Sequence, residues 1–241
     1  MPDRRAGRIA AQTAWLIDDI TSRVISGVLI VSFAFTIWML SDMSGFNSHG
    51  AEQPESRDMN ELMRINPDTK AWLKIDNTRI DYPVVQGRDN FEYLDMDFNG
   101  DFYVGGTLFL DCGNRGDLTD SYNVIHGHHM AEGIMFGDLD KFLDEDFFNE
   151  NRTGSLKTPD TEYRLEIFGA GAAYAYDTGI YNMDADMDEH KNAVNEAAIY
   201  MRGTKDPVDK ILVLSTCTDK MDDNRTVLFC RMEEVSDESE Q

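Results

Sequence analysis

The sequence predicts a mainly β fold: a closed or nearly closed barrel of short strands with flanking helices, preceded by one N-terminal transmembrane helix. Three observations carry this prediction. An uncharged apolar run lies close to the N-terminus. A long series of short β-like runs follows it, separated by Gly, Asn and Asp clusters. Apolar residues make up 41% and aromatics 10% of 241 residues, enough to build a core and to exclude a disordered chain.

The apolar run is Val24 to Leu40, VISGVLIVSFAFTIWML. At 1.5 Å per residue it reaches roughly 25 Å, near the lower limit for a spanning helix. Trp38 suits a membrane interface. The run is longer than a signal-peptide core, and SDMSGFNSHGAEQ after it offers no A-x-A cleavage site, so it reads as an uncleaved anchor. Arg4, Arg5, Arg8 and Arg23 precede it, and the next Lys or Arg is Arg57. The positive-inside rule then puts residues 1–23 in the cytoplasm and the large C-terminal part outside the cell.

The chain carries 22 Lys and Arg against 45 Asp and Glu, a formal charge of −23. That balance speaks against nucleic acid as a partner, because a phosphate backbone would be repelled. The acidity falls on the exported part and reads as solubility; no EF-hand spacing accompanies the run Asp184 to Glu189.

Residues 41–56 read as a polar linker, 57–235 as the folded domain and 236–241 as an acidic tail. A short helix is predicted from Arg57 to Ile65, stopped by Asn66-Pro67-Asp68. The strand-like runs are Ala71–Ile75, Ile80–Val85, Gly106–Leu110, Tyr122–His126, Gly154–Thr158, Tyr163–Tyr174, Lys210–Ser215 and Arg225–Met232. Two more helices are predicted, Asp138–Asn149 and Asp188–Arg202, each with an apolar stripe.

Three cysteines without a C-x-x-C pair suit neither a disulfide scaffold nor a structural zinc site. Cys217 ends the run Ile211-Leu-Val-Leu-Ser-Thr-Cys217, and strand alternation puts Ser215 on its face. A thiol at a strand end, before a polar stretch, sits where substrate can reach it at a barrel rim. If the next strand returns as a hairpin, Arg225 comes back beside Cys217, where a guanidinium can stabilise a thiolate or an oxyanion. A cysteine nucleophile needs a histidine. His126 and His128 share one face of Val124-Ile-His126-Gly-His128-His129, and His129 faces the other way. A metal pair is the competing reading of H-x-H, but no supporting ligand is spaced for it. Cys230 lies on the strand face opposite Arg225 and reads as buried; a Cys112–Cys230 disulfide is chemically allowed but not established.

The ordered segments from Asn66 to Cys230 resemble class B sortases, membrane-anchored cysteine transpeptidases of Gram-positive bacteria. The matching pieces are Asn66-Pro67-Asp68 with Ala71 to Ile75, then Ile80 to Gln86, then Asp89-Asn90 with Tyr93-Leu94. Gly106 to Asp111, Asn123 to Met130 and Met135 to Leu139 follow, then Leu214-Ser215-Thr216-Cys217, and Arg225 before Val227-Leu228. The resemblance implies a sortase-type eight-stranded β-barrel. It implies Cys217 as nucleophile, His128 as acid-base partner and Arg225 as donor-peptide and oxyanion contact. It implies Asn90, Leu94 and Ser215 as lining a groove for the sorting signal.

The implied reaction cleaves a C-terminal sorting signal after Thr, forms a thioacyl intermediate and transfers the protein to a peptidoglycan amine, with no metal and no organic cofactor. A pilin lysine is the alternative acceptor; a non-catalytic metal-binding or adhesion ectodomain is the reading from another class. The implied partners are secreted proteins bearing sorting signals, a peptidoglycan precursor or pilin amine, and the membrane. The implied location is the cell membrane, with the catalytic domain extracellular. Two positions depart from the family: His126 stands where Tyr is usual, and Thr218 where an acidic residue is common.

Overall fold

A computed structural model describes residues 23–37, 54, 57–203, 208–217 and 223–235, and of Cys217 the backbone alone. The chain divides into two compact units, Met1–Gly50 and Ala51–Gln241. In the first, residues 23–37 form a helix (α1) whose apolar side chains, among them Leu29, Ile30 and Phe33, are exposed. Among the described residues no helix is long and apolar enough to cross a membrane. The anticipated span ends at positions 38–40, which lie outside the described residues, as do most of the cytoplasmic segment and linker and all of the acidic tail.

The second unit opens with α2 (Met59–Ile65), where the Asp58 carboxylate accepts from the amides of Asn60 and Glu61 as an N-cap. The strands are β1 (Thr69–Ile75), β2 (Asp81–Val85), β3 (Leu108–Leu110), β4 (Tyr122–Gly127), β5 (Thr153–Lys157), β6 (Glu162–Tyr174), β7 (Ala198–Met201), β8 (Ile211–Cys217) and β9 (Asn224–Glu234). Their order in the sheet is β5-β1-β2-β3-β4-β8-β9-β6-β7, and β5 also pairs with β6. That second pairing closes eight strands into a barrel, as expected, and leaves β7 as a ninth strand attached to β6.

Most pairs are antiparallel, but β2–β3 and β4–β8 are parallel. Parallel neighbours cannot be joined by a tight turn and need a long crossover. The β2–β3 crossover is an irregular stretch through residues 86–107. The one between β4 and β8 contains two 3₁₀ turns, Ala131–Gly133 (η1) and Gly137–Leu143 (η2), then α3 (Glu145–Glu150), β5, β6, α4 (Thr178–Tyr181), α5 (Met187–Ala197) and β7.

Period-two alternation sorts the side chains between two apolar layers. Ile125, Leu212, Leu214, Leu228 and Cys230 belong to the barrel interior. Their chain neighbours Val124, Val213, Val227 and Phe229 pack with Ile180 of α4 and Val194 of α5 in a separate cluster on the outer wall. A third cluster joins Met59 and Leu62 of α2 to Trp72, Val85, Tyr93, Phe98 and Phe109, fastening the β2–β3 crossover to the barrel. Strands covered on both faces read as continuous apolar runs, which is why Ile211–Leu214 shows no polar alternation.

Two predicted helices are corrected. Asp188–Arg202 was expected as one helix, but α5 stops at Ala197 and Ala198–Met201 pairs with β6. The pairing needs close backbone approach: a Cβ on Gly171 would overlap the carbonyl of Ala197 and come within 2.8 Å of Ala198 Cα. Tyr200 then stacks on Phe148 at 5.7 Å, a long-range contact that helical periodicity cannot register. Asp138–Asn149 is broken at Asp144, whose extended backbone (φ −93°, ψ 128°) ends η2 and whose carboxylate caps α3 at the Phe147 amide. Leu139 and Phe142 of η2 are fully buried in the barrel interior, and Phe142 meets Phe147 edge-on at 5.0 Å. The segment α4 was not anticipated.

Because η2 plugs the barrel through Phe142, Phe142→Ala is expected to lower unfolding free energy by about 3–5 kcal/mol. Urea denaturation followed by tryptophan fluorescence measures it; a loss below about 1 kcal/mol would refute the plug.

Candidate active site

Three adjacent strands, β4, β8 and β9, bring the predicted catalytic positions to one end of the sheet. The parallel β4–β8 register pairs His126 with Ser215 and Gly127 with Thr216. His128 directly follows the end of β4, and Cys217 is the last residue of β8. The antiparallel β8–β9 register pairs Cys217 with Arg225 directly. Cα atoms of such partners lie about 4.5–5.5 Å apart. The backbone thus sets positions 128, 217 and 225 side by side. The face is the outer wall: Val124, Val213, Val227 and Phe229, at the same parity as His126, Ser215 and Arg225, belong to the outer cluster.

His128 is half-buried, and its Nε2 lies 2.7 Å from the carbonyl oxygen of Leu94. A carbonyl only accepts, so Nε2–H is the donor and Nδ1 is left as the nitrogen for proton exchange. The β2–β3 crossover delivers that carbonyl. Tyr93 beside it is held by the turn after α2: its hydroxyl donates to Asp68 Oδ2 at 2.9 Å and accepts from Asn66 Nδ2 at 3.1 Å. Burial is the main force raising the Tyr93 phenol to about 12, and the Asp68 carboxylate adds to it. Gly106 packs directly on the Tyr93 and Leu94 carbonyls with φ +58°, where a Cβ would overlap both oxygens. The segments Asn66-Pro67-Asp68, Tyr93-Leu94 and Gly106, scattered in sequence, therefore converge to fix one acceptor for His128.

Asn90 is half-buried and fully engaged. Its Nδ2 donates to Asp111 Oδ2 at 2.8 Å, and its Oδ1 accepts the Cys112 amide at 2.8 Å. Asp111 also receives His126 Nε2 at 2.9 Å and the Gly113 amide at 2.8 Å. Burial raises the Asp111 carboxyl, but the hydrogen bond and charge of His126, with the donors from Gly113 and Asn90, outweigh it and hold the carboxyl below its ordinary value. His126 thus has a carboxylate partner that Tyr would lack the charge to match. Its ring lies 6.0 Å from Tyr181 and 5.2 Å from Phe109.

Ser215 is fully buried, and its hydroxyl is 2.8 Å from that of Tyr181 in α4. Tyr181 is the surface-side residue of that pair and carried no sequence signal. Asp111 stood in the Leu108-Phe109-Leu110-Asp111 run, but its role needed the fold. Arg225 is half-buried. Cys112 is exposed and Cys230 fully buried, both as free thiols. Burial pushes the Cys230 thiol well up, and burial with the negative charges of Asp111 and Asp89 pushes Cys112 up too. Neither favours a thiolate. Among the described residues no three His, Cys, Asp or Glu side chains converge as a metal-binding group. The departure at Thr218 lies outside the described residues.

A closed eight-stranded barrel whose register sets position 217 beside Arg225, just past the end of β4, is the setting in which the comparisons fall. The sortase-domain family model matches residues 73–233, and the chain belongs to the sortase family. Its class is B. It is 34% identical over 188 residues to sortase B of Listeria monocytogenes, covering 75% of this chain and 74% of that protein. A Streptococcus pyogenes class B sortase involved in pilus biogenesis matches with a TM-score of 0.68 at 31% identity, over 75% of this chain and all of the other. Clostridium perfringens sortase B matches with a TM-score of 0.65 at 31% identity, over 72% and 98%. Sortases of this kind are cysteine transpeptidases, and the chain is an enzyme of that type.

The depressed Asp111 carboxyl makes a pH prediction. Its folded value lies below the ordinary 3.8, so its stabilisation is present above that value and is lost as pH falls through the folded one. Asp111→Asn should cost about 2 kcal/mol at pH 7. The gap from wild type should close on acidification below about pH 4. Urea titrations across pH measure it; a gap independent of pH overturns the assignment.

Proposed function

We propose that the chain cuts a C-terminal sorting signal after Thr and joins the new carboxyl end to an amine of peptidoglycan. The observation supporting this most is the register that pairs Cys217 with Arg225 and sets His128 one residue beyond the Gly127–Thr216 pair. The Cys217 thiolate adds to the Thr carbonyl carbon. The carbonyl oxygen becomes an oxyanion, which the Arg225 guanidinium stabilises. His128, charged at that stage, gives its Nδ1 proton to the departing amine, the C–N bond breaks and a thioester remains. The acceptor amine then adds to the thioester carbonyl while His128 takes its proton, the C–S bond breaks, and thiolate and amide are the products. These steps call on no group beyond the three side chains.

Asn90 and Leu94, on the crossover beside His128, and Ser215, through Tyr181, are proposed to shape the donor-peptide groove. Residues 24–40 are proposed to anchor the enzyme in the cell membrane, with residues 1–23 cytoplasmic and 57–235 extracellular. The exposed apolar side chains of α1 fit a lipid surroundings. A second reading is polymerisation of pilins, with a pilin lysine as acceptor. The likeness to a class B sortase involved in pilus biogenesis, over 75% of this chain and all of the other, supports that reading.

Incubation of the full chain in detergent with a panel of sorting peptides tests the reaction. Mass spectrometry should find the peptide, cut after Thr, as a thioester on Cys217. Arg225→Ala should lower kcat/KM about 10²–10³-fold, and His128→Ala about 10²–10⁴-fold. Adding a peptidoglycan cross-bridge amine or a pilin subunit shows which acceptor forms product. Activity that survives Cys217→Ala, or that a chelator abolishes, would overturn the proposal.

A further inference from the structure

Asp140 is not among the residues that the reaction calls on, yet it touches β9 and the segment just past β4, on either side of the strand that ends in Cys217. Its Oδ2 lies 2.8 Å from His129 Nε2, and its Oδ1 accepts the Thr226 hydroxyl at 2.6 Å. His129 directly follows His128, and Thr226 directly follows Arg225. One carboxylate therefore holds the chain neighbours of both proposed catalytic partners of Cys217.

The geometry spans three strands. β4 and β9 are not neighbours; β8 lies between them. With strands about 4.8 Å apart, the outer two are separated by about 10 Å. Thr216 occupies the middle, paired with Gly127 on one side and Thr226 on the other. Thr216 is fully buried, and its Oγ1 makes no hydrogen bond among the described residues. The middle strand thus offers no side-chain tie of its own at this level, and the tie between the outer two runs through Asp140. Successive strand residues face opposite ways, so Thr226 lies behind the wall that carries Arg225.

Asp140 is itself well held. It lies on η2, whose Leu139 and Phe142 are fixed in the barrel interior. Its neighbour Asp138 accepts the Arg79 amide at 2.8 Å and pairs with Lys141 at 2.9 Å. The chain after His128 is pinned too: the Phe136 amide donates to the His128 carbonyl at 3.0 Å, and His129 bridges to Met135. A rigid mount carrying a two-handed acceptor is a means of fixing spacing.

We infer that Asp140 is a positioning residue that sets the His128-to-Arg225 spacing across Cys217 by clamping His129 and Thr226 from behind the sheet. The inference rests on the transpeptidase reading above. Reactions between held groups lose about 10²-fold for a displacement of about 1 Å, so slackening the clamp acts on turnover more than on peptide binding.

The test uses the full chain with Asp140→Ala, Asp140→Asn, Asp140→Glu, Thr226→Val and His129→Gln, measuring kcat and KM for peptide cleavage and the fraction folded by circular dichroism. Asp140→Ala should lower kcat at least about 10-fold with KM within about twofold. Asp140→Glu should recover part of the loss. Thr226→Val and His129→Gln should each lower kcat several-fold and add little when combined with Asp140→Ala, because all act through one carboxylate. Should Asp140→Ala fail to fold, Thr226→Val and Asp140→Asn carry the same test. Unchanged kcat in folded variants, or losses that multiply in the double variants, would overturn the clamp. A wild-type chain that forms no Cys217 thioester would instead overturn the transpeptidase reading, so the two failures are distinguishable.

Discussion

The parallel pairing of β4 with β8 is the constraint on which the arrangement of the site depends. It puts His126 opposite Ser215 and carries both strands in the same direction, so that His128, just past β4, and Cys217, the last residue of β8, come to the same end of the sheet. The antiparallel β8–β9 hairpin then folds Arg225 back onto Cys217. An antiparallel β4–β8 pair in any register would send the histidine and the cysteine away in opposite directions. Backbone hydrogen bonds, not side-chain attraction, therefore bring these three positions together.

Parallel pairing also requires long connections, and the chain uses them. The β2–β3 crossover supplies the Leu94 carbonyl that orients His128, and it is kept in place by Tyr93 against Asn66 and Asp68 and by Gly106 beneath it. The β4–β8 crossover supplies η2 inside the barrel and the α4–α5 layer outside it, where Tyr181 covers Ser215. Within that layer, His190 stacks on Tyr122 at 3.6 Å while its Nδ1 bonds the Gly179 carbonyl at 2.8 Å, tying α5 to α4 and to the strand that leads to His128. Active-site geometry and fold stability thus draw on the same few loops.

Much of this was legible in the sequence because strands report their own alternation. Each strand-like run became a strand with ends shifted by a residue or two, and the parity that put Arg225 with Val227 and left Cys230 facing inward is the parity of the two apolar layers. The relation of Cys217 to Arg225 followed from a short hairpin. What stayed hidden depends on partners far along the chain. The end of α5 is decided by β6, through Gly171, and the break at Asp144 by a cap that a helical stripe does not disclose. Ser215 shares a strand face with Cys217, yet its burial is set by Tyr181, 34 residues away in sequence. Asp111 and Asp140 looked like two more acids in a very acidic chain until the fold gave each a histidine.

Closure of the barrel has one remainder. The β5–β6 pairing gives eight strands neighbours on both sides, and among the described residues β7 pairs with β6 alone. Along it, Ile199 and Met201 are exposed at 59% and 45%. Unpaired amides and carbonyls beside apolar side chains form a template onto which another extended chain can add. Its length of four residues limits how far such templating can run.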